Sequence, residues 1–365
     1  MKIYRKNTPI LSRQKSRNDN NYNNINISDK SNCSCQETFN EKSDRLIQAT
    51  IIKSIGGKFA VIDNDKNQYS CSARGIFRYD KIKPLPGDKV LINISGYNRP
   101  DGNRGSDDGS NGIIEKILPR KNTLIRPPLA NLDKLFVIIS SAYPSPSTII
   151  SDKLITIAEF NMIEPVIIVS KSDLDKKSSD RIEKIYKQCG FTVFETSCEN
   201  KTGISDLIAY ISQTCKNEIS SFAGVSGAGK STLMNTLFPS LSLETGKLSE
   251  KIGRGKNTTR VAELFPLYTL LPAANNCEGF IADTPGFSMI DFSRFDFYKL
   301  EDLPNTFREF RHVFEKNNCL YKNCTHTKED GCAIIDAVKN GIIPEERHQS
   351  YLEIYSVLKS KHEWE

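Results

Sequence analysis

The octapeptide Gly224-Val225-Ser226-Gly227-Ala228-Gly229-Lys230-Ser231 narrows what this chain can be more than any other stretch. It fits G-x-x-x-x-G-K-S and lies between an apolar run, Ser220 to Gly224, and a helix-forming run that begins Thr232-Leu233-Met234. In that setting the glycines let backbone amides wrap phosphates at a helix N-terminus, where peptide dipoles favour anions. Lys230 is placed to reach the β and γ phosphates, and Ser231 to ligate magnesium. A chance glycine-rich turn has no need of Lys-Ser at its end. The motif alone does not choose between ATP and GTP.

Four other stretches complete a nucleotide site. About fifty residues downstream, Asp283-Thr284-Pro285-Gly286 follows the apolar run Gly279 to Ala282. A carboxylate at a strand end can hold the magnesium shell, and the Gly286 amide can sense a γ phosphate. Between the two, Gly253-Arg254-Gly255-Lys256-Asn257-Thr258-Thr259-Arg260 is glycine-rich, basic and hydroxyl-bearing, as a switch loop needs to be. A threonine there, Thr258 in preference to Thr259, can close the magnesium shell only while the γ phosphate is present. Upstream of the phosphate loop, Ser170-Lys171-Ser172-Asp173 directly follows Pro165 to Val169. Asp173 can accept from N1 and N2 of guanine, a donor pair adenine lacks, while the Lys171 stem covers the purine face. After the next strand, Ser197-Cys198 stands where a loop amide can approach guanine O6.

Composition limits the remaining possibilities. The chain has 365 residues, enough for two or three domains, with 38% apolar and 26% charged residues. No apolar run approaches the roughly 20 residues that span a bilayer, and no apolar core with a small-residue cleavage site follows the basic start. A cytoplasmic protein without a membrane span is expected. Lys2, Arg5, Lys6, Arg13, Lys15 and Arg17 precede the first acid, Asp19, so they account for the whole +6 net charge of 50 basic against 44 acidic residues. Such an arm can bind RNA by releasing counterions or can be a solvated tail.

The chain divides by rhythm. Residues 1–45, with an Asn-rich run from Asn18 to Asn26, are expected to be a disordered basic arm. Across 46–118, short β-type runs (Ala49 to Ile55, Phe59 to Ile62, Tyr69 to Ala73, Lys89 to Ile94, Ile113 to Ile117) alternate with turn signals, Pro86-Gly87-Asp88 among them. Tyr97 to Gly112 reads as a long mobile loop. A five-stranded barrel of the oligonucleotide-binding (OB) type fits, and an SH3-like barrel would look similar. Across 119–296 strands alternate with helices, which implies an α/β domain with a parallel sheet. Residues 297–365 lack strands and carry a cysteine cluster and helical stretches near Ile334 to Lys339 and Glu345 to Lys361.

In that last segment Cys319, Cys324, His326 and Cys332 form C-x4-C-x-H-x5-C. Three thiolates and one imidazole suit a closed, structural tetrahedral zinc site; a catalytic zinc would need an open position. The metal would stabilise a segment too small to hold its own core. Cys71, Cys189, Cys198, Cys215 and Cys277 are isolated and read as ordinary thiols, and Cys33-x-Cys35 lies in the arm without a recognisable partner. His312, His348 and His362 read as surface or helix residues.

The order of these motifs is base loop, second base loop, phosphate loop, switch, then D-T-P-G, a circular permutation of the usual GTPase order. With a barrel before it and a zinc cluster after it, the chain closely resembles the ribosome small-subunit-dependent GTPases of the RsgA (YjeQ) family from about residue 46 to its end. Supporting stretches are Pro86-Gly87-Asp88-Lys89-Val90, Arg126-Pro127-Pro128, Ala130-Asn131-Leu132-Asp133 and Gly253-Arg254-Gly255-Lys256. The resemblance implies GTP hydrolysis with magnesium, stimulated by the small ribosomal subunit during its late maturation, with barrel and zinc domain gripping ribosomal RNA. Phe287 stands where switch GTPases often place a water-orienting Gln. The family usually has His before the two switch threonines, and here Asn257 can bond water but cannot take its proton, so slow intrinsic turnover is expected. Ser170 stands where the family usually has Asn or Thr.

Two other classes compete. A P-loop ATPase or small-molecule kinase would be indifferent to Asp173→Asn and bind ADP tightly. An RNA-binding scaffold with a vestigial nucleotide site would bind ribosomes regardless of Lys230→Ala. Nothing suggests coiled-coil pairing, and a monomer is expected.

Overall fold

The computed structural model describes residues 46–75, 77, 82–94, 111–241, 243, 262–271, 278–283, 292 and 295–362. The basic arm, most of the 97–112 loop, the Gly253–Arg260 stretch and Thr284 to Gly286 therefore lie outside the described residues.

Five strands make the barrel: β1 (Leu46–Ile55), β2 (Lys58–Asp63), β3 (Gln68–Ala73), β4 (Lys89–Asn93) and β5 (Gly112–Ile117). They are ordered β1-β2-β3-β5-β4 and close by pairing β4 with β1; only β3 and β5 run parallel. That order is the OB arrangement and decides against an SH3-like barrel. Alternation along the strands buries Ala49, Ile51, Phe59, Val61, Cys71, Val90, Ile92 and Ile114 in one core. Gly112, expected at the end of the loop, instead begins β5 as the register partner of Cys71, and a Cβ there would stand 2.8 Å from the buried Cys71 Sγ.

Two short strands, β6 (Thr123–Leu124) and β7 (Leu129–Ala130), lead into the α/β region. Here the Pro86-Gly87-Asp88 turn meets Ala130-Asn131. Ala130 N donates to Pro86 O at 3.0 Å, and Asn131 Nδ2 donates to Gly87 O at 2.9 Å. Gly87 has φ +88°, and a Cβ would stand 2.1 Å from Ala130 O, so no other residue fits. Arg120 Nε closes the joint on the buried Asp88 at 2.6 Å.

The α/β sheet comprises β8 (Lys134–Ser140), β9 (Glu164–Ser170), β10 (Thr192–Glu195), β11 (Ile219–Gly224), β12 (Glu263–Pro266) and β13 (Phe280–Asp283) in the order β10-β9-β8-β11-β13-β12. All neighbours are parallel except the β12–β13 pair. Every residue of β8 and β11 is buried, as a sheet covered on both faces requires. Helices α1 (Thr148–Phe160) and α2 (Lys176–Gln188) pack on one face, and α3 (Ile204–Thr214) and α4 (Lys230–Leu237) on the other. A single turn, α5 (Leu267–Leu270), follows β12.

β12 also pairs on its far side with β1, matching Lys53 with Glu263, so barrel and α/β sheet form one eleven-stranded sheet among the described residues. The C-terminal segment adds a 3-10 helix, Leu300–Thr306, then α6 (Arg308–Phe314), α7 (Ala333–Lys339) and α8 (Glu345–His362). The 3-10 helix and α6 carried no signal strong enough to place them in advance. Leu303, Phe307, Phe310, Ile334, Tyr351 and Ile354 share one continuous core with α1 and the sheet face beneath it.

Candidate nucleotide edge and metal cluster

Parallel strands deliver their following loops to one edge of a sheet, where α/β proteins bind ligands. The loops after β8, β9, β10 and β11 all arrive there. Lys171 Nζ donates to Gly227 O at 2.8 Å and also to Tyr143 O, so one ammonium joins the base loop, the phosphate loop and the β8–α1 loop. Ser170, 5% exposed, donates from Oγ to Ala228 O at 2.7 Å. Ser141 Oγ donates to Lys171 O at 2.6 Å, and Ser140 Oγ to Tyr143 O at 2.9 Å. These contacts bring the upstream base stretch and the downstream phosphate stretch together despite 58 residues of separation.

The Gly224–Ser231 loop runs from the end of β11 into the first turn of α4. Gly229 caps α4 in the left-handed region at φ +93°, with only Lys171 Cε, at 3.7 Å, near a hypothetical Cβ. Gly224 lies so close to β8 that a Cβ would meet Ile138 O at 2.8 Å. Val225 is half-buried, Ser226 and Gly227 are exposed, Ala228 is buried, and Ser231 and Thr232 lie in the first turn of α4. Lys230 Nζ stands 3.4 Å from Asp283 Oδ1, so the P-loop lysine and the carboxylate ending β13 share one place.

Asp173 is exposed at the same edge. Ser172 N donates to Thr196 O at 3.2 Å, pinning the first base loop to the second. In the second loop Ser197 donates from N to Thr202 O at 3.1 Å and from Oγ to Asn200 Oδ1 at 2.8 Å. Burial pushes the Cys198 thiol up; a hydrogen bond with Thr236 of α4 lowers it, and the Asp173 charge raises it. Asn257, Thr258 and Gly286 fall outside the described residues. The β8–α1 loop was missed from sequence; its signal is the Ser140-Ser141-Ala142-Tyr143-Pro144 turn at the end of a buried strand.

Some distance away in the chain, the four zinc candidates converge. One ligand atom from each of Cys319, Cys324, His326 and Cys332 falls within 4.8 Å of all the others. Cys319 Sγ and Cys332 Sγ are 3.9 Å apart, and His326 Nδ1 lies 3.5 and 3.4 Å from them. A tetrahedral site with metal–sulfur bonds of about 2.3 Å has edges of about 3.8 Å, so the donor set fits a zinc ion. The chemistry fits too. Burial lowers the His326 pKa, which keeps its imidazole neutral, and burial pushes the Cys324 thiol up to about 12, so three thiolates need a cation among them. Burial raises the Glu329 pKa, but hydrogen bonds from Thr325 and the Lys328 amide outweigh it and hold the carboxyl down at about 2; this fixes the loop between ligands. His326 packs among Phe310, Phe314 and Tyr351, and His348 Nε2 donates to His326 O at 2.8 Å.

This metal-ready segment is clamped to the α/β region by a buried charge cluster. Arg347 of α8, fully buried, pairs with Asp152 of α1 and donates from Nε to Glu309 Oε1 of α6 at 2.7 Å. Tyr186 Oη of α2 donates to Asp152 Oδ1 at 2.8 Å, and the guanidinium lies 4.7 Å from the Phe307 ring centre. Arg308 and Arg311 add contacts to Glu159 at 2.7 Å.

Comparison with known proteins agrees with this layout. Residues 117–293 match the RsgA GTPase family and residues 48–99 the RsgA N-terminal domain. The chain is 37% identical over 316 residues to the small ribosomal subunit biogenesis GTPase RsgA of Caldanaerobacter subterraneus subsp. tengcongensis, covering 86% of this chain and 97% of that protein. It is 39% identical over 306 residues to the RsgA of Carboxydothermus hydrogenoformans, covering 84% and 96%. Among solved structures, YjeQ from Thermotoga maritima superposes with a TM-score of 0.66 at 28% identity over 86% of this chain and 99% of that one. YloQ, described as a circularly permuted GTPase, gives 0.66 at 29% identity over 88% and 98%. Identity above 30% across nearly the full length of such relatives, on the same permuted architecture, shows that the chain belongs to the RsgA GTPase family.

Proposed function

We propose that this protein hydrolyses GTP in the cytoplasm as a monomer, with its turnover stimulated by the small ribosomal subunit during late maturation of that subunit. The observation that carries the reading is the Lys171 bridge, because it unites a guanine-type base loop and a phosphate loop at one sheet edge in permuted order. On this reading the amides of Gly224 to Lys230 and the Lys230 ammonium hold the phosphates, with Ser231 and Thr232 opening the helix beneath them. Ser231, Thr258 and Asp283 hold magnesium, which neutralises phosphate charge when bound. Asp173 reads guanine, Lys171 covers it, Ser170 braces the loop beneath, and the Ser197-Cys198 loop closes over its carbonyl edge. Gly286 senses the γ phosphate and Asn257 orients water. Cys319, Cys324, His326 and Cys332 hold one structural zinc, and the barrel with the zinc segment binds ribosomal RNA.

The reading covers three parts: the barrel at 46–118, the GTPase domain at 119–296 and the zinc-binding helical domain at 297–365, preceded by the arm. Support for the ribosomal role comes from the relatives, which are named small ribosomal subunit biogenesis GTPases. No helix among the described residues is long and apolar enough to cross a membrane.

Steady-state hydrolysis of GTP and ATP by zinc-loaded protein, with and without small subunits and beside Lys230→Ala, tests it. Expected is GTP-selective turnover that is slow alone, rises at least about tenfold with subunits, equal to about 1.4 kcal/mol of barrier, and vanishes in the variant. Equal use of ATP would support the ATPase class. Absence of turnover with ribosome binding intact in Lys230→Ala would support the scaffold.

A further inference from the structure

The join between β1 and β12 places a barrel residue in line with the phosphate site. Lys53 of β1 is the register partner of Glu263, and Glu263 is in turn the register partner of Asp283. Directly opposed residues on neighbouring strands project to the same face, with Cβ atoms about 5 Å apart. Lys53 Nζ binds Glu263 Oε2 at 2.6 Å, and Asp283 Oδ1 faces Lys230 Nζ at 3.4 Å. The result is a row of four charges, positive, negative, negative, positive, running from the barrel to the P-loop lysine. Two carboxylates directly opposed across a strand pair repel, and the outer lysines balance them. A bulge in β1, between Ile51 and Lys53, falls at the residue that meets β12. Bulges re-aim side chains in this way.

We propose that Lys53 is a positioning residue of the GTPase site: it holds the Glu263 carboxylate in an ion pair, so that Lys230 stays directed at phosphate and magnesium meets Asp283 without a second unpaired carboxylate beside it. The inference rests on the reading of Asp283 as a magnesium carboxylate. Without Lys53 the Glu263 carboxylate adds uncompensated negative charge beside Asp283. That charge repels nucleotide phosphates when magnesium is absent, draws Lys230 away from them, and attracts the cation when it is present. The barrel thereby belongs to the nucleotide site electrostatically, and anything that displaces β1 changes the charge that magnesium meets.

Fluorescent GDP binding to the full-length, zinc-loaded protein, in EDTA and across a magnesium titration, tests this in Lys53→Met, Lys53→Arg, Lys53→Met/Glu263→Gln and Asp283→Asn. Expected for Lys53→Met is a dissociation constant about fivefold higher in EDTA and a half-saturating magnesium concentration about threefold lower, the modest size of a partly exposed pair. Lys53→Arg should match the wild type, and the double variant should return both values to within about twofold. Wild-type values in Lys53→Met would overturn the proposal. So would a double variant as impaired as the single one, since that would mean a loosened barrel rather than a released carboxylate. If Asp283→Asn leaves the magnesium titration unchanged, the reading of Asp283 itself fails; if only Asp283→Asn shifts it, that reading stands and the role of Lys53 is lost.

Discussion

The nucleotide edge and the C-terminal joint are built from similar groups but held in opposite ways. At the edge, loops are tied by hydrogen bonds to main-chain carbonyls from the Ser170, Ser141 and Ser140 hydroxyls and from the Lys171 ammonium, which reaches two carbonyls. At the joint, a guanidinium and two carboxylates are almost wholly removed from water and ringed by Phe307 and Tyr186. Each edge contact contributes about 1 kcal/mol and can be exchanged for another as ligand arrives. The joint's charges cannot be separated without stranding one of them, so it specifies a single arrangement of α1, α6 and α8 more than it adds net stability. The contrast assigns motion to the edge and alignment to the joint. The cluster of three cysteines and one histidine lies on the aligned side, where Phe310 and Tyr351 touch both His326 and each other.

Metal removal should separate the two regions most strongly. Structural zinc contributes on the order of 10 kcal/mol to small domains of this kind, and here α6, α7 and α8 share the ligand loop's packing. Cys332→Ser, or exhaustive chelation, should abolish bound zinc and strip hydrogen-exchange protection from α6–α8. The β8–β9–β11 strands should stay protected. Protection of α6–α8 that survives complete metal loss would show that the shared core, not the metal, holds this segment.

Next in size is the charge cluster. Arg347→Ala leaves Asp152 and Glu309 buried without their partner and should cost about 3–5 kcal/mol, read as a fall in denaturation midpoint. The triple variant Asp152→Asn/Glu309→Gln/Arg347→Met should recover most of it, because the cost lies in stranded charge. A triple variant as unstable as Arg347→Ala would show instead that hydrogen bonds specific to the guanidinium hold the joint.

These two regions also differ in how far they can be read from sequence, and for the same physical reason. The phosphate loop, base loop and cysteine set are local: their chemistry needs particular residues at fixed short spacings, and the structure places Ser170, Lys171, Lys230 and Asp283 at one edge and brings the four cluster residues together. The joint is not local. Arg347 reaches Asp152 across 195 residues and Glu309 across 38, and within Glu345-Glu346-Arg347-His348 it looks like any residue on a solvated helix face. Nor did the sequence show where the barrel meets the sheet. β12 is four residues long, too short for a strand period to show, and its pairing with β1 spans two domains. The SH3-like alternative fell to strand order, a long-range property that alternation within strands cannot contain.

The smallest effect tests the edge's own logic. Ser170 was grouped with the base loop, yet its hydroxyl faces away from solvent and serves Ala228 O, so it acts on the phosphate loop. Ser170→Ala should therefore weaken GDP and GTP equally, by about fivefold or about 1 kcal/mol, with the preference for guanine over adenine unchanged. Ser170→Thr, which keeps the hydroxyl, should stay near the wild type. A change in base preference would mean that the hydroxyl acts through Lys171 and Asp173 after all, and the edge would then be one coupled unit rather than a set of separable ties. Equal loss for both nucleotides, additive with Ser141→Ala, would establish the opposite: each short hydroxyl holds one loop on its own, as a site that must open and close requires.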